Sequence, residues 1–464
     1  MSASLLERQS TGGAIARVGF EYQDAYVLLN LPKWLAQGAF SLVVSEAVGD
    51  VEVCYFGAEG QQRVMYEAKD SSLPSTKFWA EINRFQEVRQ ASDEYRRFVL
   101  VCNGYNSETE PLLAQIKRLR GVGSSFEPSS PLVAQDRQAV INWVTSKGRS
   151  AAEAEFVLDF VEFEEFSAES ADAAFGGMLG QHFPTLDLRQ KQINTFREKC
   201  KALVGRSSFG PIQRADIEAA LVEVMEEDAA DWLRQPTTVQ LMDGPVPLGI
   251  LGVDVGCFNG PGRGGLSAAD WEGLQGSLSG VASFIKSSCA RRCISLDGKQ
   301  RISLACLLGF AFGAAPGFVL QIEHNGSVYR TDQYDKASSR FFSTSEMTGE
   351  PGAQEGVALI GFPTPVGSDS AAINDGSLEG APQLTLEGSA AIDGIVALNT
   401  AVAEAKAALS RFKSAHRLRK IHLVIKAPSL FAMALGHRLN SLGHIQLYDW
   451  VDGGYRPSAL LQAG

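Results

Sequence analysis

The sequence contains the segment Glu46-Ala-Val-Gly-Asp50-Val-Glu-Val-Cys-Tyr-Phe, which is followed, after a polar turn, by Arg63-Val-Met-Tyr-Glu67-Ala-Lys69-Asp70. The fold of the first half of the chain can be predicted outward from these two segments. In both segments the side chains alternate in character at every second position, which is the period of a β-strand. The pattern predicts two strands joined by a hairpin. Because residues two apart share one face of a strand, Glu67 and Lys69 project together. Asp50 starts the preceding strand and lies within reach across the hairpin.

Two carboxylates and a lysine at one strand end indicate a particular chemistry. Asp50 and Glu67 can hold a hard divalent cation such as Mg²⁺ or Mn²⁺, with the backbone carbonyl of Ala68 as a further oxygen ligand. Such a cation lowers the pKa of a bound water, and Lys69 stabilises charge on phosphoryl oxygens. The arrangement indicates metal-assisted phosphodiester hydrolysis. The alternative is a solvated strand face in which Glu67 and Lys69 form a weak ion pair.

The segment upstream of the hairpin carries a resemblance to a known family. It reads Gly12-Gly13-Ala-Ile-Ala-Arg17-Val-Gly19-Phe20-Glu-Tyr22-Gln23. With Gly49-Asp50-Val and Glu67-Ala-Lys69, it resembles the endonuclease domain of CBASS anti-phage effectors, within the PD-(D/E)xK nuclease superfamily. The resemblance implies that Asp50, Glu67 and Lys69 are catalytic, that Asp50 and Glu67 hold the metal, and that Gln23 supports catalysis.

The order of elements around the hairpin predicts the architecture of this half. A helix is expected over residues 14–35, ending at Pro32 and Gly38, then a strand over 40–47, the hairpin, a helix over 78–91 and a buried strand over 97–103. This order suits a small mixed α/β sheet flanked by helices. Residues 108–227 are expected to be mostly helical, with a β-like interruption over 154–163. The resemblance implies a restriction-endonuclease-like domain with a helical extension over residues 1–230.

Length and composition bound the function classes. A chain of 464 residues is too long for one ordinary core, so two or three domains are expected. The formal net charge of −11 argues against attraction of DNA to the whole surface, although a local basic groove stays possible. Seven scattered cysteines indicate reduced thiols. Without a membrane-length apolar run or a signal-like start, we expect a cytoplasmic protein with no membrane partner.

The second half, expected over residues 239–464, contains an internal repeat. Residues 292–309 parallel residues 420–436 as a strand, a tight loop and a helix that ends in Leu-Gly. Each copy continues into a second strand and then a turn, at Asn325-Gly326 and at Asp452-Gly453. Repeated βαβ units predict two fused, doubly wound α/β subdomains, over about 239–345 and 346–464.

Ligands of such sheets bind beyond the carboxyl ends of the strands. Helix N-termini and lysines at these loops suit an anionic ligand, and aromatic or arginine side chains near strand ends suit bases. The alternatives are ordinary solvated loop lysines, and core packing for the two aromatic residues. The candidate ligand-binding residues are Asp297, Lys299, Arg330, Lys426, Ser429, Tyr448 and Trp450.

This half also resembles a known domain. Lys426-Ala-Pro-Ser-Leu-Phe-Ala-Met-Ala-Leu-Gly436 and the strand Ile445 to Trp450 are similar to the SAVED domain, two fused CARF-like subdomains that sense cyclic oligonucleotides. Both resemblances together imply a CBASS effector that a cyclic trinucleotide activates to cleave double-stranded DNA. Because one chain carries one active site, we expect self-association on activation. Two alternatives are a non-catalytic nucleotide-binding module whose N-terminal lobe docks a partner, and an unregulated nuclease.

Overall fold

The computed structural model describes residues 8–121, 123–127, 129–373 and 378–462. The chain divides into two compact units, Met1–Ala229 and Ala230–Gly464. The helices and strands of the first unit are α1 (Arg8–Ala36), β1 (Phe40–Ser45), β2 (Val51–Tyr55), β3 (Gln62–Lys69), α2 (Ser75–Ala91), β4 (Tyr95–Cys102), α3 (Glu110–Gly121), α4 (Pro131–Ser146), α5 (Ala151–Phe160), β5 (Val161–Glu165), α6 (Ala171–His182), α7 (Gln190–Val204), β6 (Ile212–Gln213) and α8 (Arg214–Met225).

The first unit contains a six-stranded mixed sheet in the order β5-β4-β3-β2-β1-β6. β1, β2 and β3 pair in antiparallel fashion, whereas β3, β4 and β5 run parallel. Helix α2 buries Phe78, Ile82 and Phe85 in a core that also contains Met65 of β3 and Phe98 of β4. The predicted class, a mixed α/β sheet flanked by helices, is confirmed.

Two details of the first unit differ from the expectation. Helix α1 begins at Arg8, before the expected start at residue 14, whereas its end at Ala36 agrees with the expected end at residue 35. The buried side chains of Leu31 and Trp34 hold its last turn in the core. The expected β-like interruption is mostly helix, since α5 extends to Phe160 and only β5 is a strand. Ser150 starts α5 with a capping box, in which its hydroxyl accepts the backbone N–H of Glu153.

The second unit begins with short elements and continues into two mixed sheets, each with parallel strands at its centre and an antiparallel strand at an edge. Its helices and strands are α9 (Ala229–Arg234), β7 (Thr237–Thr238), β8 (Gln240–Met242), β9 (Gly252–Asp254), α10 (Gly256–Asn259), α11 (Ala268–Ser288), β10 (Cys293–Asp297), α12 (Ile302–Ala311), β11 (Val319–His324), β12 (Ser327–Arg330), β13 (Ser343–Met347), β14 (Glu355–Gly361), β15 (Gln383–Glu387), α13 (Ile395–His416), β16 (Lys420–Lys426), α14 (Ser429–Gly436), β17 (His444–Val451) and β18 (Gly454–Leu461).

The two copies of the repeat form the centres of two sheets. One sheet has the order β12-β11-β10-β7 and the other β13-β15-β14-β16-β17-β18. β10 pairs in parallel with β11, and β16 with β17, as a βαβ repeat predicts. Each copy ends in a hairpin whose two turn residues have positive φ, Asn325 and Gly326 in the first copy and Asp452 and Gly453 in the second. This backbone conformation favours such residue types and matches the twist of a hairpin.

Among the described residues, no helix combines the length and the apolar character that a membrane span requires.

Candidate functional site

The β2–β3 hairpin places Asp50 beside the end of β3. Val51 pairs with Tyr66 in the antiparallel register, so Asp50 lies next to Glu67 and Ala68. One carboxylate oxygen of Asp50, Oδ2, accepts the backbone N–H of Ala68 at 2.8 Å. The same oxygen lies 3.5 Å from Nζ of Lys69. The structure therefore brings the three predicted residues together.

Glu67 and Lys69 share one face of β3, as their spacing predicts. Nζ of Lys69 donates to Oε1 of Glu67 at 2.5 Å, and the side chain of Glu67 is only 2% exposed. Burial raises the pKa of Glu67 and the charge of Asp50 adds to this effect, while Lys69 opposes it. Burial alone would lower the pKa of Lys69, but its contacts with Glu67, together with Asp50 and Glu81, raise that pKa. Lys69 is therefore a cation held against two carboxylates.

Two residues of α2, Glu81 and Arg84, complete this cluster. Nη1 of Arg84 lies 2.8 Å from Oε2 of Glu67 and 3.5 Å from Oε2 of Glu81. Oε1 of Glu81 lies 4.0 Å from Nζ of Lys69. Neither residue was predicted from the sequence. Their spacing of three puts them on one side of a helix, but only the packing of α2 on the sheet brings that side to Glu67.

The turn before β2 holds Asp50 in position. Glu52 is fully buried, and its Oε1 accepts the backbone N–H of Val48 at 2.8 Å and the hydroxyl of Tyr95 at 3.1 Å. A methyl group at Gly49 would lie 2.7 Å from Cγ of Met65. Such a contact is closer than van der Waals packing allows, so a larger residue at this position would displace the side chain of Met65.

Gln23 is not hydrogen-bonded to this cluster among the described residues. It is half-buried on α1, and among the described residues no hydrogen bond joins it to Asp50, Glu67 or Lys69. Its neighbour Tyr22 is buried and donates its hydroxyl to the carbonyl of Phe166 at 3.1 Å. The role of Gln23 in catalysis stays a prediction from resemblance.

The residues of the cluster fit a divalent cation. Within the part of the chain that the structure describes, no three His, Cys, Asp or Glu side chains are grouped to enclose a metal. Mg²⁺ needs fewer protein ligands, because it keeps several waters and takes one or two carboxylates. Oε2 of Glu67 is buried and accepts no aligned hydrogen bond, although Arg84 approaches it as an ion pair. Asp50 and Glu67 thus offer carboxylate oxygens to such a cation.

In the second unit the two predicted ligand edges meet each other. The hydroxyl of Ser429, at the start of α14, donates to the carbonyl of Gly298 at 2.5 Å. Asp297 accepts the backbone N–H of Lys299 at 2.9 Å and so orders the loop after β10. The loops after β10 and β16 therefore form one continuous edge that carries Lys299 and Lys426.

Lys426 is paired with a residue that the sequence analysis missed. Its Nζ lies 2.9 Å from Oδ2 of Asp369. The hydroxyl of Tyr455 donates to the same oxygen at 3.0 Å, and the charge of Asp369 contributes, after burial, to a raised pKa of Tyr455. Asp369 lies 57 positions away along the chain, so no local pattern could connect it with Lys426.

The other three candidate ligand residues, Tyr448, Trp450 and Arg330, have different surroundings. Tyr448 is buried and its hydroxyl lies 2.7 Å from Nδ1 of His422, so its ring is part of the core. Trp450 is 49% exposed at the end of β17, where its ring packs edge-on against Tyr455.

Arg330 lies elsewhere in the second unit. Its register with Gln321 places it toward the amino end of β11, whereas Asp297 pairs with Glu323 at the carboxyl end. There it forms an ion pair with Asp332 at 2.9 Å. The structure therefore does not bring Arg330 to the edge that carries Lys299 and Ser429.

Each of the two units matches a known protein family. Residues 11–208 match the family described as "Cap4, dsDNA endonuclease domain". Residues 278–461 match the family described as "SMODS-associated and fused to various effectors sensor domain", abbreviated SAVED. The first match contains the hairpin cluster, and the second contains both copies of the repeat.

Relatives match over the whole chain. A protein named "CD-NTase-associated protein 4" from Moraxella osloensis is 48% identical and covers 99% of this chain and 100% of its own length. The protein of the same name from Acinetobacter sp. is 46% identical, with 99% of this chain and 100% of its own length covered.

Solved structures are similar too. The Acinetobacter baumannii Cap4 SAVED/CARF-domain containing receptor with the cyclic trinucleotide 3′3′3′-cAAA has a TM-score of 0.90 and 43% identity, and covers 96% of this chain and 99% of that one. The Moraxella osloensis Cap4 receptor has a TM-score of 0.85 and 45% identity, and covers 96% and 100%. The predicted restriction-endonuclease-like and CARF-like folds are confirmed. The chain belongs to the CD-NTase-associated protein 4 family of CBASS effectors, which join a nuclease domain to a SAVED domain.

Proposed function

We propose that this chain is a metal-dependent double-stranded DNA endonuclease that a cyclic oligonucleotide activates. The observation that carries the proposal is the convergence of Asp50, Glu67 and Lys69 at the end of β3. Asp50 and Glu67 would hold Mg²⁺ or Mn²⁺, which supplies Lewis-acid stabilisation and an activated water when bound. Lys69 is a cation beside both carboxylates and would stabilise the charge that develops on the scissile phosphate.

The ligand proposal rests on the edge that Lys299, Lys426 and Ser429 share in the second unit. Two lysines and the N-termini of α12 and α14 supply positive potential for phosphates. The Acinetobacter baumannii receptor was solved with 3′3′3′-cAAA and with 2′3′3′-cAAA. We therefore propose a cyclic trinucleotide as the activator, bound at this edge.

We also propose domain bounds and an assembly step. The nuclease domain and its helical extension would span residues 1–230, and the SAVED domain 239–464, with its subdomains meeting near residue 345. Each chain carries one cluster of Asp50, Glu67 and Lys69, and a double-strand break needs two cuts. Activator binding would therefore favour a self-associated state, through tighter binding to that state than to the single chain.

The experiment that tests this function is a supercoiled-plasmid assay with single omissions. The complete mixture contains the protein, Mg²⁺ and 3′3′3′-cAAA, and we expect linear and fragmented DNA. Omitting the metal or the nucleotide should leave the plasmid supercoiled, as should Asp50→Asn protein. Plasmid that stays intact in the complete mixture, with a panel of cyclic di- and trinucleotides tested, would refute the proposed function.

A further inference from the structure

Arg84 extends from α2 to both parts of the hairpin site. Its Nη1 lies 2.8 Å from Oε2 of the buried Glu67. Its Nη2 donates to the backbone carbonyl of Val48, in the turn that leads to Asp50. Arg84 therefore contacts one proposed metal-holding carboxylate directly and the turn that carries the other.

The charges of the site show what this contact does. Three carboxylates, of Asp50, Glu67 and Glu81, surround two cations, Lys69 and Arg84. Lys69 occupies Oε1 of Glu67 and Arg84 lies against Oε2, so each oxygen of this buried carboxylate faces a positive side chain. A buried carboxylate needs such partners, because an unpaired charge there is costly.

We propose that Arg84 is a positioning residue that serves as the resident counter-ion of the metal site and limits its affinity for the divalent cation. Without metal, Arg84 pairs with Oε2 of Glu67 and holds this carboxylate in place. A cation that binds between Asp50 and Glu67 competes with Arg84 for Oε2 of Glu67 and is repelled by the guanidinium charge. This inference rests on the proposed metal-dependent function of the same site.

The sign of the effect follows from Coulomb's law. Replacing Arg84 by a neutral side chain removes a positive charge close to the cation and leaves Oε2 of Glu67 unshared, so the cation should bind more tightly. The Arg84 side chain is 39% exposed, and water therefore screens part of the repulsion. We expect a decrease in the Kd of about tenfold, rather than the far larger factor of a dry interior.

The test measures Mn²⁺ binding by the full chain, without DNA, from the electron paramagnetic resonance signal of free Mn²⁺. At about pH 8, competition by protons for the carboxylates is small. Arg84→Gln and Arg84→Met should both lower the Kd about tenfold. Arg84→Lys keeps the charge and should stay within about twofold of wild type. Arg96 is exposed at the amino end of β4, away from the site at the carboxyl end of β3. Arg96→Gln removes the same charge and should leave the Kd for Mn²⁺ unchanged.

Asp50→Asn shows how much of the measured Mn²⁺ binding occurs at this site, because the substitution should abolish binding there. If Asp50→Asn leaves binding unchanged, the metal-dependent function fails and the inference fails with it. If Asp50→Asn abolishes binding but Arg84→Gln and Arg84→Met bind Mn²⁺ as weakly as wild type or more weakly, only the role of Arg84 is wrong. Thermal melting without metal checks folding, and either neutral variant that folds decides the question.

Discussion

A methyl group at Gly309 would lie 1.9 Å from the backbone carbonyl oxygen of Met433. The relationship is reciprocal, because a methyl group at Gly436 would lie 2.1 Å from the carbonyl oxygen of Cys306. Each glycine ends the Leu-Gly of one repeat copy, and each contacts the residue three positions before the other glycine. Helices α12 and α14 thus cross with their backbones in contact, and this crossing joins the two copies.

We therefore expect Gly309→Ala to destabilise the second unit by about 3 kcal/mol, because backbone that is packed on backbone cannot give way cheaply. Gly276→Ala is the matched control. It lies in α11 with no atom near its Cβ position, and should stabilise by about 0.5–1 kcal/mol, as alanine does in an exposed helix. Urea unfolding of both variants measures the difference. Equal urea midpoints for the two variants would show that α12 and α14 can move apart at their crossing without a loss of stability.

The fold of the two repeat copies was predictable from the sequence, because the same local pattern occurs in both copies. The pattern predicted the strands, the Leu-Gly helix ends and the turns at Asn325-Gly326 and Asp452-Gly453, because each of these features depends on neighbouring residues. It could not give the contact of Gly309 with Met433, since that contact depends on how two helices cross.

The candidate site likewise contains some residues that were predictable from the sequence and others that were not. Asp50, Glu67 and Lys69 were predictable, because strand periodicity and one hairpin suffice to bring them together. Arg84 and Asp369 were not predictable. Arg84 reaches Glu67 only through the packing of α2 on the sheet, and Asp369 lies 57 positions from Lys426 along the chain. The β-like interruption over residues 154–163 was wrong for a local reason. The Ser150–Glu153 capping box was overlooked, and an apolar run fits a buried helix as well as a strand.

Lys69→Ala should abolish cleavage while activator binding stays intact. Its ammonium contacts both carboxylates, so its loss should lower the cleavage rate by about 10²–10³-fold or more. Lys77→Ala, at an exposed position of α2, is the control and should cut at the wild-type rate. Substantial Mg²⁺-dependent cutting by purified Lys69→Ala protein would remove the catalytic assignment.

Lys426→Glu should raise the activator concentration needed for cleavage by at least about tenfold, because it places a negative charge beside the ligand's phosphates. Lys286→Glu makes the same charge change in the last turn of α11, which leads to the amino end of β10, and should leave that concentration unchanged. A plasmid assay over a range of activator concentrations compares the two. An equal effect of both substitutions would mean that net charge, and not contact with Lys426, governs binding.

His437 should titrate far below an ordinary histidine. Burial lowers the pKa of His437 to about 4, against a backbone hydrogen bond to Phe312 that acts to raise it. The unfolded chain would bind this proton near pH 6.5. Stability from the neutral ring is therefore complete above about pH 6.5 and is lost as the pH falls toward 4, at about 1.4 kcal/mol per pH unit.

Nuclear magnetic resonance of histidine-labelled protein measures this titration directly. The resonance that disappears in His437→Gln protein belongs to His437. We expect the His437 ring to stay neutral down to about pH 5. A midpoint near 6.5 in the folded protein would contradict the buried, hydrogen-bonded environment seen here.

We propose that occupancy of the second unit by a cyclic oligonucleotide switches on cutting by the first. The most direct measurement follows binding and cutting over the same activator concentrations. Lys69→Ala protein reports binding of 3′3′3′-cAAA by calorimetry with plasmid and Mg²⁺ present, and wild-type protein reports plasmid cleavage under the same conditions. We predict that the two curves have the same midpoint and that cutting is absent without the nucleotide. Cutting that proceeds at full rate without activator, or that stays absent once the binding curve is saturated, would contradict the claim.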